Sequence, residues 1–407
     1  MIYSHFSYVI KVSTIFILAF IFTGCGLQKR AGEYVVVLSL DGFRSDYLLQ
    51  THTPTLDSLA QVGVKSTFRP CFPSVTFPNH YSMATGLHPD HHGLINNFFY
   101  APDLDKIYRI GDNKAVTNPD FYGGEPIWNT AEKQGVRSAS FFWVGSEAPI
   151  QGLQPSICKT YDKSVPYETR ADSVIAWLQL PEEIRPRLIM WYIEEPDAIG
   201  HSATPDSSAT YDMVERLDSV INYFFTKARQ LKDFKKIDFI VLSDHGMATY
   251  YPDKYVNLND YLPRDSFDYV FDGVPTLLYP KKTYTDSALA ILQQVPYVKA
   301  YKKEDVPEQF IYGKNPRLGD IVVIPDIGTY VHFRPQSYPY KGATHGYDNY
   351  APEMEAIFYA AGPSFKKNVE LPTMANVNLY LIITELLQLQ PAPNDGDIEV
   401  VRKLFRK

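Results

Sequence analysis

Three short apolar runs in this chain each stop on an acidic residue. YVVVLSL (34–40) is followed by Asp41, RLIMWYI (187–193) by Glu194, Glu195, Pro196 and Asp197, and DFIVLS (238–243) by Asp244 and His245. Each run is continuous rather than alternating and rich in β-branched or large apolar side chains, the pattern of a strand buried on both faces. A fourth run, Ala356 to Ala360, leads into Ala361-Gly362-Pro363. Helical patterns lie between the runs: Pro54 to Val62 closing at Gly63, Ile127 to Gln134 closing at Gly135, and Asp206 to Leu231. In the last, Met213, Leu217, Val220, Ile221 and Phe224 recur near the helical period, and Pro205 suits the first turn. Strand alternating with helix predicts an α/β fold, a mostly parallel central sheet with helices on both faces.

In open α/β sheets ligands bind outside the carboxyl ends of the strands, so the residues gathered there carry the chemistry. Asp197 and His201, in EEPDAIGH, are spaced i to i+4, so one helical turn presents both on one face. Asp244 and His245 are adjacent and point apart on a regular strand; they share a site only if the chain turns, which Gly246 permits. Asp41, followed by Gly42, and His345, in ATHGYDN, complete a set of three carboxylates and three imidazoles. Nitrogen and oxygen donors without thiolates suit Zn²⁺ or a similar divalent ion. Six exceed the needs of one tetrahedral ion and suit two, the arrangement that clamps attacking and leaving oxygens in phosphoryl transfer. In FPSVTFPNHYS (72–82), Thr76 stands between close prolines. A threonine hydroxyl is a poor nucleophile unaided, and an adjacent metal pair would activate it. The denser histidines, His80, His88, His91 and His92, read as structural or as support to the ligands, since HPDHHG is a turn-like segment.

The remaining sequence bounds location and partners. Residues 1–24 hold one lysine, no acidic residue and an apolar run from Val12 to Phe22, followed by Thr23-Gly24-Cys25. This is the pattern of a secretory signal, and the junction resembles that of bacterial lipoproteins, with Cys25 as the lipid acceptor. Residues 25–33 would then be a lipidated linker, and the protein exported and lipid-anchored in the cell envelope. Without the signal the formal charge moves from −7 to −8, 38 cations against 46 anions, which argues against a stable nucleic-acid partner. Outside the cytoplasm Cys71 and Cys158 have the option of pairing. The stretch of about 262–341, rich in tyrosine and proline, reads as an inserted subdomain, and 397–407 as a C-terminal tail.

The segments LSLDGFRSDYL, FPSVTFPNHYSMATGLHPDHHGLINN, FFWVGSEA, EEPDAIGH, SDHGM and HGYDN occur in this order. Together they resemble the nucleotide pyrophosphatase/phosphodiesterase family of the alkaline phosphatase superfamily, over about 34–394. The resemblance implies a catalytic domain of 34–396 holding two Zn²⁺. One would be bound by Asp41, Thr76, Asp244 and His245, the other by Asp197, His201 and His345. It implies that Thr76 is the nucleophile, passing through a phosphothreonine, and that Asn97 donates to a non-bridging phosphate oxygen. Phe77 and Tyr161 would sandwich a nucleobase, with Trp143, Glu147 and Tyr192 around that pocket. The expected substrate is a small nucleotide or dinucleotide, cleaved to nucleoside 5′-monophosphates. Alternatives are a choline-type lipid phosphodiesterase or phosphonate hydrolase on the same metals, and, in a different class, a non-catalytic surface-binding lipoprotein.

Overall fold

The computed structural model describes residues 32–335 and 339–406. The expected signal segment and Cys25 lie outside them. Among the described residues no helix is long and apolar enough to cross a membrane.

The centre is a nine-stranded sheet. From one edge its path runs Val369–Glu370, Val64–Arg69, Ala356–Ala361, Ile237–Leu242, Tyr34–Leu40, Leu188–Ile193, Ser138–Phe141 and Ile157–Lys159, with Met374–Ala375 also paired to Val64–Arg69. Tyr34–Leu40 lies between two parallel neighbours, in register from Val35 opposite Leu188 and from Tyr34 opposite Ile237. The fourth apolar run is the exception to the parallel arrangement. Ala356–Ala361 is antiparallel to both Ile237–Leu242 and Val64–Arg69, so its far end sits at the sheet's opposite rim.

Continuous apolarity in the strands has the expected cause. Val35 and Val37 join a core with Trp128, Tyr81 and Leu379 on one face. Val36, Leu38 and Leu40 join a second core with Trp191, Leu217 and Phe224 on the other. The long helix is Ser208–Ala228, and its start differs from expectation: Ser207 caps it by accepting from Thr210 N at 3.2 Å. Pro205 therefore precedes the cap and is not in the first turn, because a hydroxyl partner for an orphan N–H outcompetes proline's fixed φ as a start signal.

Within the expected insertion, Phe267–Phe271, Thr276–Pro280, Ile321–Pro325 and Val298–Lys302 form an antiparallel sheet in that order. Helix Thr285–Leu292 supplies Ala288 and Leu292 to a separate core with Leu278, Ile321 and Val323. Within the expected C-terminal tail, Ile398–Arg402 is helical, Val401 and Leu404 are buried, and Phe405 stacks on Phe365. Cys71 and Cys158 are free thiols.

Candidate functional site

Four chain segments meet at the carboxyl rim of the sheet, and backbone contacts join them before any side chain is considered. Asp41 ends the central strand, and its carbonyl accepts from Asp197 N at 3.0 Å. Gly42 makes that approach possible. Its φ is +66°, and a Cβ there would lie 2.8 Å from Asp197 Cβ, closer than carbon atoms pack. Helix Asp197–Ala203 then presents Asp197 and His201 one turn apart. Asp244 and His245 follow Ile237–Leu242 and face the same centre. Gly246 serves packing more than turning: its φ is not positive, and a Cβ would meet Glu353 O at 2.0 Å. His345 arrives because Gly342–Thr344 pairs antiparallel with Ala248–Tyr250, setting Thr344 opposite Ala248.

The result is two groups of mutually close donors, Asp41 with Asp244 and His245, and Asp197 with His245 and His345. Their division differs from the expected one in that His245 belongs to both, while His201 joins through Asp197, its Nε2 3.4 Å from Asp197 Oδ2. Thr76 is buried as the first residue of helix Thr76–Thr85. Its Oγ1 lies 3.1 Å from His245 Nε2 and 3.5 Å from Asp41 Oδ1.

Backbone carbonyls orient all three imidazoles. His201 Nδ1 is 2.9 Å from Ala343 O, His245 Nδ1 2.8 Å from Gly246 O, and His345 Nδ1 3.0 Å from Ser74 O. A carbonyl only accepts, so each Nδ1 carries a proton and each Nε2 is aimed at the carboxylates, the orientation of a metal-ligating histidine. His245 Nε2 is 3.2 Å from Asp244 Oδ2 and 3.4 Å from Asp41 Oδ1, and His345 Nε2 is 3.4 Å from Asp197 Oδ1. A tetrahedral ion with bonds of about 2.0–2.1 Å sets neighbouring donors about 3.3 Å apart, the same spacing.

The charges of the chain alone leave a cation deficit. Burial, then the charges of Asp244 and Asp197, push Asp41 well above the usual carboxylate range. Burial also opposes ionisation of Asp197, but the charge of His201 holds it at about 2, and Asp197 in turn lifts His201 to about 9 against burial. Burial and the neighbouring His245 depress His345 to about 3, leaving it neutral. Asp197 Oδ1 and Asp244 Oδ2 are buried with no hydrogen-bond donor. Two buried carboxylates, a third partly buried, two orphaned oxygens and inward-facing imidazoles fit a pair of divalent ions.

Above this floor opens a cavity of about 490 Å³, lined by Asp41, Thr76 and Asp197 below and by Phe77, Tyr161 and Glu147 among its walls. Tyr161 is half exposed, and its backbone N–H donates to Glu147 Oε1 at 2.9 Å. Trp143 and Tyr192 line the cavity with polar groups already committed. The Trp143 indole N–H donates to His80 O at 3.1 Å, and the Tyr192 hydroxyl to Asp41 Oδ2 at 2.5 Å. Asn97 Oδ1 accepts from Phe77 N at 3.0 Å, leaving the amide NH₂ as the half able to donate.

Several supporting residues escaped the sequence reading. Phe142, Ile110 and Val116 complete the apolar wall. Asn79 is fully buried and fastens the turn before Thr76: Nδ2 donates to Pro73 O and Val75 O, and Oδ1 accepts from Cys71 N at 2.7 Å. The asparagine three residues after the nucleophile was visible in the sequence, but its burial was not. Of the histidines read as structural or as support to the ligands, His80 does support the site. Nδ1 lies 3.0 Å from Thr76 O and 3.2 Å from Asp244 Oδ2, and Nε2 2.8 Å from Ser39 Oγ. His92 bonds Ser82 and His91 pairs with Asp395, both away from the cavity.

A family model described as type I phosphodiesterase/nucleotide pyrophosphatase matches residues 35–348. Ectonucleotide pyrophosphatase/phosphodiesterase family member 3 of Bos taurus is 36% identical over 376 residues, covering 89% of this chain and 43% of the relative. Member 1 of Homo sapiens is 36% identical over 378 residues, covering 89% and 40% respectively. The chain thus spans less than half the length of these curated relatives. Among solved structures, an inactive threonine-to-alanine variant of murine ectonucleotide pyrophosphatase/phosphodiesterase 5, in complex with AMP, superposes with a TM-score of 0.88 at 30% identity, covering 93% of this chain and all of that one.

Proposed function

Because the chain belongs to the type I phosphodiesterase/nucleotide pyrophosphatase family, we propose that it hydrolyses phosphodiester and pyrophosphate bonds of nucleotides, releasing nucleoside 5′-monophosphates. The observation that carries this reading is Thr76 Oγ1, 3.1 Å from His245 Nε2 where the two donor groups meet, on the floor of an aromatic-walled cavity. An inactive threonine variant of a relative in complex with AMP supports it.

Asp41, Asp244 and His245 with Thr76 would hold one Zn²⁺, and Asp197, His201 and His345 the other. When bound, these ions supply Lewis-acid stabilisation of negative charge and lower the pKa of a nearby hydroxyl. The chain's residues do the rest. Tyr192 donates to Asp41 Oδ2 and so leaves Oδ1 facing Thr76, and His245 Nε2 and Asp41 Oδ1 are the acceptors presented to the threonine proton. Thr76 Oγ1 attacks phosphorus as the bond to the leaving oxygen breaks, giving a phosphothreonine and the released alcohol or phosphate. Water then attacks the same phosphorus, returning Thr76 and freeing the nucleoside monophosphate. The Asn97 NH₂ donates to a non-bridging oxygen, and its neutrality suits the lower charge of a diester. Phe77 and Tyr161 take the base between aromatic faces, each such contact being worth about 1–3 kcal/mol in single-strand binders.

The test is turnover of an aryl nucleotide diester by purified protein, before and after chelation, and by Thr76→Ala. Full activity in that variant sinks the mechanism. Comparing a nucleotide diester with a glycerophosphocholine-type diester and a phosphonate decides the substrate class, and absence of turnover on all three leaves the binding-protein reading. We place the chain outside the cytoplasm, anchored by lipid at Cys25, on the strength of its first 25 residues. Intact mass of the purified protein checks this.

A further inference from the structure

Gly32 donates its backbone N–H to Ser364 Oγ at 3.0 Å, and Glu33 N donates to Lys236 O at 2.8 Å. The chain therefore enters the fold at the amino-terminal rim of the sheet, between the start of Ile237–Leu242 and the end of the antiparallel strand Ala356–Ala361. The C-terminal segment closes on the same place. Arg406 N donates to Ser364 O at 3.0 Å, and Lys366 N to Leu404 O at 2.9 Å. These contacts gather Lys235, Lys236, Lys366, Lys367, Lys403 and Arg406 around the point of entry. Lys235, Lys367 and Lys403 are exposed and Lys366 is half-buried. Among the described residues none of these four takes part in an ion pair, whereas Lys236 is matched by Glu33. A concentration of uncompensated lysines stands out on a chain of net charge −7.

Two lengths give this patch a meaning. Six residues, 26–31, separate Cys25 from Gly32, and the seven steps along the chain reach at most about 25 Å. Tyr34–Leu40 starts at this rim and ends beside Asp41, so the candidate site lies about 23 Å away, at the opposite rim.

We propose that this lysine-rich rim docks on anionic lipid headgroups of the membrane that holds the Cys25 lipid, and that docking turns the Thr76 cavity away from the bilayer. This rests on the lipid-anchor reading above. A short tether confines the rim near the headgroups without fixing its orientation. Cations within about 8 Å of an anionic surface fix it, since attraction falls off over that screening length. Charged nucleotides then reach the cavity from solution rather than through the bilayer surface.

The experiment uses the mature, lipidated full chain in vesicles of phosphatidylcholine, with or without roughly one-third phosphatidylglycerol. A membrane-impermeant lysine-acylating reagent is applied and each site is read by mass spectrometry. Lys235, Lys366, Lys367 and Lys403 are expected to react at least about fivefold more slowly on the anionic vesicles, one lysine at such a surface being worth about that factor in partitioning. High salt restores their rates, and Lys281 and Lys282, exposed beside the inserted sheet, do not change. Equal rates on both vesicles, or protection shared by Lys281 and Lys282, overturn the proposal. The variant Lys366→Glu/Lys367→Glu/Lys403→Glu should keep its hydrolysis of a soluble nucleotide ester and lose protection at Lys235. If that variant fails to fold, the wild-type comparison decides. Intact mass reports the lipid separately: a chain found without it refutes the anchor, and docking then stands or falls on salt-sensitive sedimentation of that chain with the anionic vesicles.

Discussion

Gly42→Ala puts a single methyl between the two halves of the candidate site. The added Cβ would stand 2.8 Å from Asp197 Cβ, 2.9 Å from Asp197 Cα and 3.0 Å from Asp197 Oδ1. Carbon atoms pack at about 3.5–4.0 Å, so the start of helix Asp197–Ala203 must retreat by about 0.7–1.2 Å. That retreat strains the bond from Asp197 N to Asp41 O, now 3.0 Å, and draws Asp197 from His345 and His201 together. Misplacement of about 1 Å at a reacting centre costs on the order of 10²-fold. An alanine at φ +66° adds about 1–2 kcal/mol of backbone strain. We expect kcat/KM on an aryl nucleotide ester to fall about 10²-fold, zinc per chain to drop at limiting metal, and the urea midpoint to fall modestly. Gly93→Ala is the control: its φ is +79° and its Cβ would meet the guanidinium of Arg317 at 3.2 Å, remote from the donors. It should show similar strain with catalysis intact. If Gly42→Ala keeps full zinc and full kcat/KM, the two halves are not coupled through this contact and the proposed geometry fails.

Thr76→Ala should reduce nucleotide-ester turnover by at least about 10³-fold while leaving AMP binding measurable by calorimetry, because the cavity walls stay in place. Tyr192→Phe removes the 2.5 Å bond to Asp41; zinc affinity should weaken about 10–100-fold in competition with a chelator, and unchanged affinity would show that the phenol is dispensable. In the ion-free chain His201 sits at about 9 and so holds a proton at neutral pH, while burial and the neighbouring carboxylates let Asp41 keep its proton to higher pH than a free carboxylate does. Zinc binding must displace these protons, and calorimetry in buffers of different ionisation heat should show net proton release, diminishing as pH rises past about 9. Alkylation of the denatured, unreduced protein should modify both Cys71 and Cys158, in line with two free thiols.

Five of the six carboxyl-rim donors were legible because each follows an apolar run or sits at helical spacing, features that the local sequence prints directly; His345 does neither and stood out only in the segment HGYDN. What holds them in position was not legible, since the partners come from far along the chain. Ser74 orients His345 across 271 positions and Ala343 orients His201 across 142, each through a backbone carbonyl that any residue type supplies. Burial of Asn79 and His80 was hidden for a related reason: their polarity suggests a surface, and only the closed set of hydrogen bonds around Thr76 pays for taking them inside. The inserted sheet lacked an alternating signal because its strands pack on both sides. Leu278 and Ile321 face helix Thr285–Leu292, while Leu277 and Val322 join the main core. That shared core gives the insertion a consequence for the site. His345 lies just beyond it, held by the pairing of Gly342–Thr344 with Ala248–Tyr250, so packing of the insertion against the main core helps set where the last imidazole stands.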